Sequence, residues 1–346
     1  MGLFHDRTKQ ENGKSTIPVW FMRQAGRYHD HYQNIKKNSD FMTMCKNPEL
    51  ACEITMGPIL EFGFDGAILF SDLLFPLEQL GMGLNYEAGP PQLGYKLETL
   101  NDLKKLHLLN SAEEFYSFQN KALLYLKNRL PKNKTLLGFV GAPFTLYAYA
   151  VEGSHSGNLI SSKKGFYDGR FEGFMDILMP QLEQNLLIQA EGGADALCLF
   201  DTAVGELDLP HFKTFVLPHL RKISKKFKSH FPDKKLVYYS KHTNLYYLRE
   251  IQDDNIDVLG IDWRLNLAGT LNLLGKDYYI QGNLDPSLLH LPFEILKDKW
   301  LDLWNSVREN EFLEKWICGL GHGVLPLTPQ ENVKKSVNLI QTNFIY

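Results

Sequence analysis

The chain has 346 residues, a length that fits either two ordinary domains or one large domain such as an α/β barrel. Its 37 lysines and arginines against 40 aspartates and glutamates give a net charge of −3, and 44% of the residues are hydrophobic. This balance argues against a general nucleic-acid-binding surface, and the 12% aromatic content argues against a disordered chain.

The cysteines indicate a reducing compartment. Cys45, Cys52, Cys198 and Cys318 contain no CxxC pair and lie mostly far apart, which favours neither a disulfide framework nor a zinc ribbon. No window approaches the ~20 consecutive apolar residues of a membrane span, and the N-terminus is polar where a signal peptide would be apolar. We therefore expect a cytoplasmic protein that binds neither nucleic acid nor membrane.

Short apolar runs recur along the chain, and each ends abruptly in polar residues. Every run has the length of a β-strand, and amphipathic segments with helix-start signals lie between most of them. This alternation is typical of a parallel sheet with crossover helices. The runs are Pro18–Gln24, Gly66–Asp72, Leu136–Pro143, Ala196–Thr202, Leu236–His242, Val258–Arg264, Tyr278–Asp285 and Trp316–His322.

Three of the connecting helices carry clear start signals. Asn47-Pro48 provides an N-cap and a first-turn proline, with Gly63 at the far end. Asp208 precedes a second helix with apolar residues at helical spacing. Thr328-Pro329-Gln330-Glu331 has the pattern of a capping box.

Eight strand-like runs separated by helices predict a single (β/α)₈ barrel, because closing a parallel sheet removes its exposed edges. We assign residues 17–346 to this catalytic domain and residues 1–16 to a polar N-terminal arm. The stretch Ala88–Gly94 reads as a surface loop, and no linker divides two domains.

The active site of such a barrel lies at the carboxyl ends of its strands, so the polar residues that end or follow the runs are the candidates. They are Arg23, Arg27, Asp72, Tyr147, Tyr149, Glu152, Asp201, Thr202, Lys241, His242, Asp262, Asn283, Asp285 and His322.

Arg23 and Arg27 place two permanent cations four residues apart, so a helical turn would direct both to one side. Two guanidinium forks suit carboxylate or phosphate groups. The alternative is that each arginine pairs with an acidic neighbour as scaffolding.

Asp72 and His322 each have a functional and a structural interpretation. Asp72 could accept hydrogen bonds from ligand N–H groups or stabilise a developing cation, or it could cap the next helix. His322, in a glycine-rich turn, could serve as an acid, a base or a hydrogen-bond donor, or it could be an ordinary loop histidine.

The sequence contains no convincing metal or nucleotide motif. The spacing of His29-Asp30-His31 could supply two zinc ligands, but no HxC pair, HExxH motif or cysteine cluster completes a site. Gly319–Gly323 misses the dinucleotide fingerprint because Val324 replaces its last glycine. We predict no metal site.

The stretch Pro18–Tyr28, PVWFMRQAGRY, resembles the N-terminal signature of the uroporphyrinogen decarboxylase family. Further segments that resemble this family follow in the family's order and span nearly the whole chain. They are Ile68–Asp72, Gly138–Pro143, Phe200–Thr202, Gln281–Pro286 and Leu320–Gly323.

The resemblance implies a homodimeric (β/α)₈ enzyme, a carboxy-lyase of tetrapyrrole and haem biosynthesis that needs no cofactor. Such an enzyme converts the four acetate side chains of uroporphyrinogen III to methyl groups and gives coproporphyrinogen III. A protonated pyrrole of the substrate can accept the electrons that decarboxylation releases, which explains the absence of a cofactor.

The resemblance also implies roles for individual residues. Asp72 would hold the pyrrole N–H groups and stabilise the positive charge of the transition state. Arg23 and Arg27 would bind substrate carboxylates, and either is a candidate proton donor, although a guanidinium is a poor acid. The remaining substrate-binding positions would be Gln24, Ala25, Gly26, Tyr149, Thr202 and His322.

Some positions depart from the family pattern. His29-Asp30-His31 stands where Leu-Pro-Glu is usual, and Lys36 stands where arginine is common. Thr202 replaces a usual serine and Phe144 a usual tryptophan. These departures leave every matched catalytic position in place.

Two other functions remain open. The first is a zinc- and corrinoid-dependent methyltransferase of the same superfamily, which would carry an HxC pair near the fifth strand. That stretch reads Tyr238–Thr243, YYSKHT, without cysteine. The second is a non-catalytic porphyrin-binding protein, against which the retained Asp72, arginines, Tyr149 and His322 argue.

Overall fold

The computed structural model describes residues 2–4, 15–86 and 90–346. Most of the proposed arm 1–16 and the beginning of the stretch Ala88–Gly94 lie outside the described residues. The strands are β1 (Gly66–Ile68), β2 (Leu84–Asn85), β3 (Gln92–Leu93), β4 (Thr135–Gly141), β5 (Ala196–Asp201), β6 (Lys235–Ser240), β7 (Val258–Gly260), β8 (Tyr279–Leu284) and β9 (Trp316–Leu320).

Helices cover one face of the sheet and connect its strands. They are α1 (Asp30–Lys36), α2 (Phe41–Lys46), α3 (Pro48–Phe62), α4 (Phe75–Gln79), α5 (Ala112–Phe115), α6 (Ser117–Arg129), α7 (Pro143–Glu152), α8 (Ile160–Gly165), α9 (Arg170–Glu191), α10 (Leu209–His211), α11 (Leu217–His230), α12 (Leu245–Ile251), α13 (Leu267–Leu274), α14 (Phe293–Val307) and α15 (Gln330–Asn343). Within the described residues, no helix is long and apolar enough to cross a membrane.

The described strands form a curled seven-stranded parallel sheet in the order β1-β4-β5-β6-β7-β8-β9, beside a two-stranded antiparallel ribbon of β2 and β3. Seven of the eight predicted runs are therefore confirmed as strands. The ribbon was not predicted, because two residues on each side are too few to give a periodic signal.

The first predicted run, Pro18–Gln24, is not a regular strand. Among the described residues the sheet therefore has seven strands, and the prediction of eight is wrong. It forms one isolated parallel bridge, between Val19 and Cys318 of β9. On the other side, the N–H of Asp65 donates to the carbonyl of Val19 (3.0 Å), and the N–H of Val19 donates to the Asp65 carboxylate (2.9 Å). The segment thus lies between edge strands β1 and β9, and a carboxylate replaces part of the backbone ladder.

Gln24 extends this side-chain pairing along β1. Its Nε2 donates to the carbonyl of Gly66 (2.8 Å), and its Oε1 accepts from the N–H of Ile68 (3.3 Å). The buried amide thereby satisfies one donor and one acceptor of an edge strand, which would otherwise be costly to bury.

Apolar side chains pack on both faces of the sheet. The inner face includes Ile68, Phe139, Phe200 and Tyr239, whereas a larger cluster packs between the outer face and the helices. Side chains alternate along a strand, so a residue two positions beyond an inner residue also points into the enclosed space. Residues just past the strand ends can therefore converge there.

Two of the three predicted helix starts are confirmed. Asn47 caps α3 by accepting from the N–H groups of Glu49 and Leu50, and Gly63 ends this helix with φ +79°. Asp208 caps α10, which continues through a π-helical turn (Phe212–Val216) into α11.

The capping box before α15 is wrong. Pro329 is the N-cap residue, and no side chain caps this helix. The hydroxyl of Thr328 instead donates to the carbonyl of Leu325 (2.8 Å) and lies 3.1 Å from Nε2 of His290. The threonine therefore holds the preceding loop rather than the helix.

Candidate active site

Asp72 lies half-buried beyond the end of β1, with both carboxylate oxygens engaged. Oδ1 accepts from the N–H of Leu74 (2.7 Å), and Oδ2 accepts from the hydroxyl of Tyr86. Burial raises the pKa of Asp72, while the bonds from Tyr86 and Leu74 act in the opposite direction. Helix α4 has Leu74 as its N-cap residue and no side-chain cap, so the helix-capping interpretation of Asp72 is wrong.

Arg23 and Arg27 are both exposed, in a segment of turns that precedes α1. Arg23 has a left-handed backbone with φ +57°, so the predicted helical turn is wrong. Arginines that form ion pairs in the described part of the chain are Arg170, Arg264 and Arg308. The scaffolding alternative is therefore wrong for Arg23 and Arg27, whose guanidinium groups have no carboxylate partner among the described residues.

Arg23 acts electrostatically on several of the other site residues. It acts to lower the pKa of Asp72, Tyr149 and His322. Its aliphatic chain lies against Gly323, where a side chain would collide with Arg23 Cδ. Arg27 acts instead on Tyr32. Burial raises the pKa of Tyr32, and the charge of Arg27 acts in the opposite direction.

His322 is a neutral imidazole held against Tyr239. The two rings are nearly parallel, 15° apart, with centroids separated by 5.8 Å. Burial, followed by the charges of Arg23 and Lys241, lowers the pKa of His322 to about 3. His322 is therefore a hydrogen-bonding group at neutral pH rather than a cation.

Tyr149 extends into the same region from α7 and is 8% exposed. Its hydroxyl lies 2.6 Å from Nδ1 of His155. Burial, together with the charge of Asp72, raises the pKa of Tyr149 to about 12. Burial also lowers the pKa of His155, so both partners are neutral at neutral pH.

Thr202 is half-buried just beyond β5, next to a fully buried carboxyl group. Asp201 accepts from the hydroxyls of Thr145 (2.7 Å) and Tyr238 (2.9 Å). The Thr145 hydroxyl in turn accepts from the N–H of Ala203 (3.0 Å). This network joins α7 to the β5 end, so Asp201 faces away from the enclosed space and positions its neighbours.

The turn Gln24–Gly26 contributes backbone rather than side chains. The Gln24 carbonyl accepts from the hydroxyl of Tyr28 (2.6 Å), and the Gly26 carbonyl accepts from the N–H of His29 (2.9 Å). The Gln24 side chain is directed at the sheet edge, where its amide bonds to Gly66 and Ile68 of β1.

The segment His29-Asp30-His31 has structural contacts. Fully buried His29 binds Glu61 through Nε2 at 2.7 Å. Asp30 exchanges two hydrogen bonds with Gln330 of α15 (3.0 and 3.1 Å), and the His31 ring lies against Gly57. Among the described residues, no group of three or more histidines, cysteines, aspartates or glutamates could hold a metal ion.

Sequence reasoning missed Tyr86, His155 and Tyr239. Tyr239 could have been found, because it precedes the candidate Lys241 by two positions and so shares the inner face. Tyr86 directly follows the two-residue strand β2, and His155 lies in a loop beyond α7. The sequence has no periodic signal for either position.

The sequence matches the uroporphyrinogen decarboxylase (URO-D) family over residues 7–342. The chain belongs to this family. It is 36% identical over 328 residues to "Uroporphyrinogen decarboxylase" of Helicobacter pylori strain G27, covering 93% of this chain and 94% of that protein. It is 34% identical over 325 residues to the protein of the same name from Geobacter metallireducens, covering 93% of each chain.

Solved structures support the fold alone. A "methyltransferase from Methanosarcina mazei" is similar with a TM-score of 0.74 and 17% identity, covering 94% of this chain and 93% of that one. A putative vitamin-B12-independent methionine synthase from Listeria monocytogenes has a TM-score of 0.55 and 13% identity, with 94% and 96% covered. At these identities the likeness carries no function.

Proposed function

We propose that this protein is a carboxy-lyase that decarboxylates the four acetate side chains of uroporphyrinogen III to methyl groups, giving coproporphyrinogen III for haem biosynthesis. The observation that carries the proposal is that, in a chain of the URO-D family, Asp72 interacts electrostatically with Arg23 and Tyr149, and Arg23 also acts on His322. The enzyme would use no cofactor.

The substrate itself supplies the electron acceptor. Protonation of a pyrrole ring makes it a cation, and cleavage of the C–CO₂ bond then sends the electron pair into that ring. A proton added to the resulting exocyclic methylene carbon completes the methyl group, and loss of the first proton from the ring restores the neutral pyrrole. The protein must bind the carboxylates, stabilise the pyrrole cation and deliver protons.

Asp72 is suited to stabilise the pyrrole cation. Each carboxylate oxygen has lone pairs beyond the one used by Leu74 or Tyr86, so it can also accept a pyrrole N–H. The two existing hydrogen bonds favour the ionised carboxylate against the effect of burial. A negative charge fixed there stabilises the developing cation without reorganisation.

The remaining residues bind and orient the macrocycle. Arg23 and Arg27, which have no ion pair among the described residues, would take substrate carboxylates. The backbone of Gln24–Gly26 lines the same turn. Thr202, Tyr149 and neutral His322 would supply uncharged hydrogen-bonding groups.

We extend the proposal to architecture and assembly. Residues 18–22 bond to Cys318 of β9 and to Asp65, which directly precedes β1. This supports a barrel of the (β/α)₈ type over residues 17–346, in which the irregular segment takes the place of an eighth strand, preceded by an arm over 1–16. Family membership supports a homodimer. Four buried, unpaired cysteines support a cytoplasmic setting in which thiols stay reduced.

The test is anaerobic turnover of uroporphyrinogen by purified protein without added cofactor, followed by chromatography of the oxidised porphyrins. We expect coproporphyrin to accumulate through intermediates with fewer carboxylates. Tight porphyrin binding by folded protein that forms no product would favour a non-catalytic binding protein. Stoichiometric zinc would favour the methyltransferase.

A further inference from the structure

Lys241 follows β6 directly and continues its ladder by one residue. Its N–H donates to the carbonyl of Asp201 on neighbouring β5 (3.2 Å). Tyr239, two residues earlier, lies on the inner face against His322, whereas the Ser240 hydroxyl pairs with Thr243 (2.6 Å). Side-chain alternation therefore places Lys241 on the same side as Tyr239, above it at the carboxyl edge of the sheet.

The residue Lys241 is half-buried, and its ammonium group has no hydrogen-bond or ion-pair partner within residues 2–4, 15–86 and 90–346. The lysines that do form ion pairs in these ranges lie elsewhere. They are Lys46, Lys105, Lys127, Lys134, Lys213, Lys228, Lys235, Lys299 and Lys335. A half-buried cation without a partner is unfavourable unless an anion reaches it.

Two acidic groups, Asp262 and Glu206, act electrostatically on Lys241, and neither forms an ion pair with it. Asp262 accepts from the N–H of His242 (2.7 Å) and from Nη1 of Arg264 (2.9 Å). Glu206 lies 3.9 Å from Nδ1 of His242. Positive charge therefore predominates in this corner, and burial together with Arg264 and Arg23 lowers the pKa of Lys241.

We propose that Lys241 is a further substrate-binding residue, which holds a carboxylate of the porphyrinogen at the β6 end of the site. This inference rests on the proposed function, since it takes the ligand to be an octacarboxylate. Arg23 and Arg27 provide only two guanidinium forks, and both lie on the turn that precedes α1. Lys241 adds a separate point of attachment at the ends of strands β5 and β6. A carboxylate held there would fix the orientation of the porphyrinogen macrocycle.

The test compares Lys241→Gln and Lys241→Arg with Lys225→Gln, a control on the exposed face of α11. We expect Lys241→Gln to raise KM about tenfold while kcat changes less than about threefold, because a charge-assisted hydrogen bond made in the ground state is lost. Lys241→Arg should restore most of the affinity, and Lys225→Gln should match the parent protein.

Binding without turnover separates this inference from the proposed function. Uroporphyrin, the oxidised octacarboxylate, serves as the probe, and its Kd is measured by fluorescence. We expect Lys241→Gln to weaken uroporphyrin binding about tenfold. If the parent protein binds uroporphyrin but forms no product, the proposed function fails, and the difference in Kd still tests Lys241. A Lys241→Gln protein with the parent Kd and KM overturns the inference.

A measurement on the parent protein covers the case in which Lys241→Gln does not fold. Lysines are acetylated with a small anhydride, with and without uroporphyrin, and the extent at each site is read by mass spectrometry. We expect uroporphyrin to protect Lys241 and to leave Lys225 unchanged. Equal acetylation of Lys241 in both conditions overturns the inference.

Discussion

Tyr239 determines which nitrogen of His322 carries the proton. Its hydroxyl donates to the carbonyl of Gly321 (2.8 Å) and lies 3.1 Å from Nδ1 of His322. A phenol has one hydrogen, and the Gly321 carbonyl takes it, so Nδ1 must be the donor to the Tyr239 oxygen. This leaves Nε2 of the neutral ring as an acceptor for a substrate N–H or O–H group.

Tyr239→Phe should release His322 from this tautomer. We expect kcat/KM to fall about tenfold and stability to fall by about 1–2 kcal/mol, because the Gly321 carbonyl loses its donor. Nitrogen NMR of His322 should change from a protonated Nδ1 to a mixture of tautomers. An unchanged tautomer, with or without a change in rate, contradicts the assignment.

Asp72→Asn should separate charge from shape. The amide can still accept from Leu74, so we expect a folded protein with turnover reduced about 10²-fold or more, the range found when a single electrostatic stabiliser is removed. Anaerobic kinetics and thermal unfolding measure the two effects. Near-normal turnover would show that the negative charge is not needed.

Tyr86→Phe should shift the acid limb of the pH profile. The Tyr86 hydroxyl stabilises ionised Asp72 and lowers its pKa, so removing the hydroxyl raises this pKa. Since the reaction needs the ionised carboxylate, the acid limb of kcat/KM should move to higher pH. Tyr246→Phe, at a side chain that is 69% exposed, is the control. Identical limbs for both variants would refute the role of Tyr86.

Asp201→Asn should change the pH dependence of stability. Burial raises the pKa of Asp201 from a usual 3.8 to about 6. Between these values the folded state binds more protons than the unfolded state, so this group's contribution falls as pH rises and is constant above about pH 6. Relative to Asp201→Asn, the free energy of unfolding of the parent protein should fall by on the order of 1–3 kcal/mol as the pH rises from about 4 to about 6. Urea unfolding at several pH values measures the free energy of unfolding of both proteins. If it depends on pH in the same way for both, the prediction is contradicted.

Glu61→Ala should destabilise the turn that carries the arginines. It would leave buried His29 without a partner at Nε2, and Nδ1 already has none among the described residues. We therefore expect the free energy of unfolding to fall by about 1–3 kcal/mol. Exposed Glu53→Ala on the same helix is the control. Equal urea midpoints for the two variants would show that the contact with His29 is energetically neutral.

Most of the sheet could be predicted from sequence because strands buried on both faces form continuous apolar runs. The exception is instructive. Pro18–Gln24 has the same apolar character, but side chains make part of its hydrogen bonds to the region of β1. The Asp65 carboxylate accepts from the N–H of Val19, and the Gln24 amide donates to the carbonyl of Gly66. Pairing between a backbone and a distant side chain leaves no periodic trace in the sequence.

The site was predictable where residues follow strand ends, as with Thr202 and His322. The side chains that contact site residues from outside the sheet were not predictable. Tyr86 reaches Asp72 from the short ribbon, and His155 reaches Tyr149 from a loop beyond α7. Such contacts depend on loop conformation, which residue type alone does not determine.

The left-handed backbone at Arg23 has a consequence for engineering. A non-glycine residue with φ +57° costs the folded state about 1–2 kcal/mol, which glycine would relieve. Glycine would also delete a cation that lowers the pKa of Asp72. A screen for thermal tolerance and a screen for turnover would therefore select opposite residues at this position, and a variant improved by the first would be expected to fail the second.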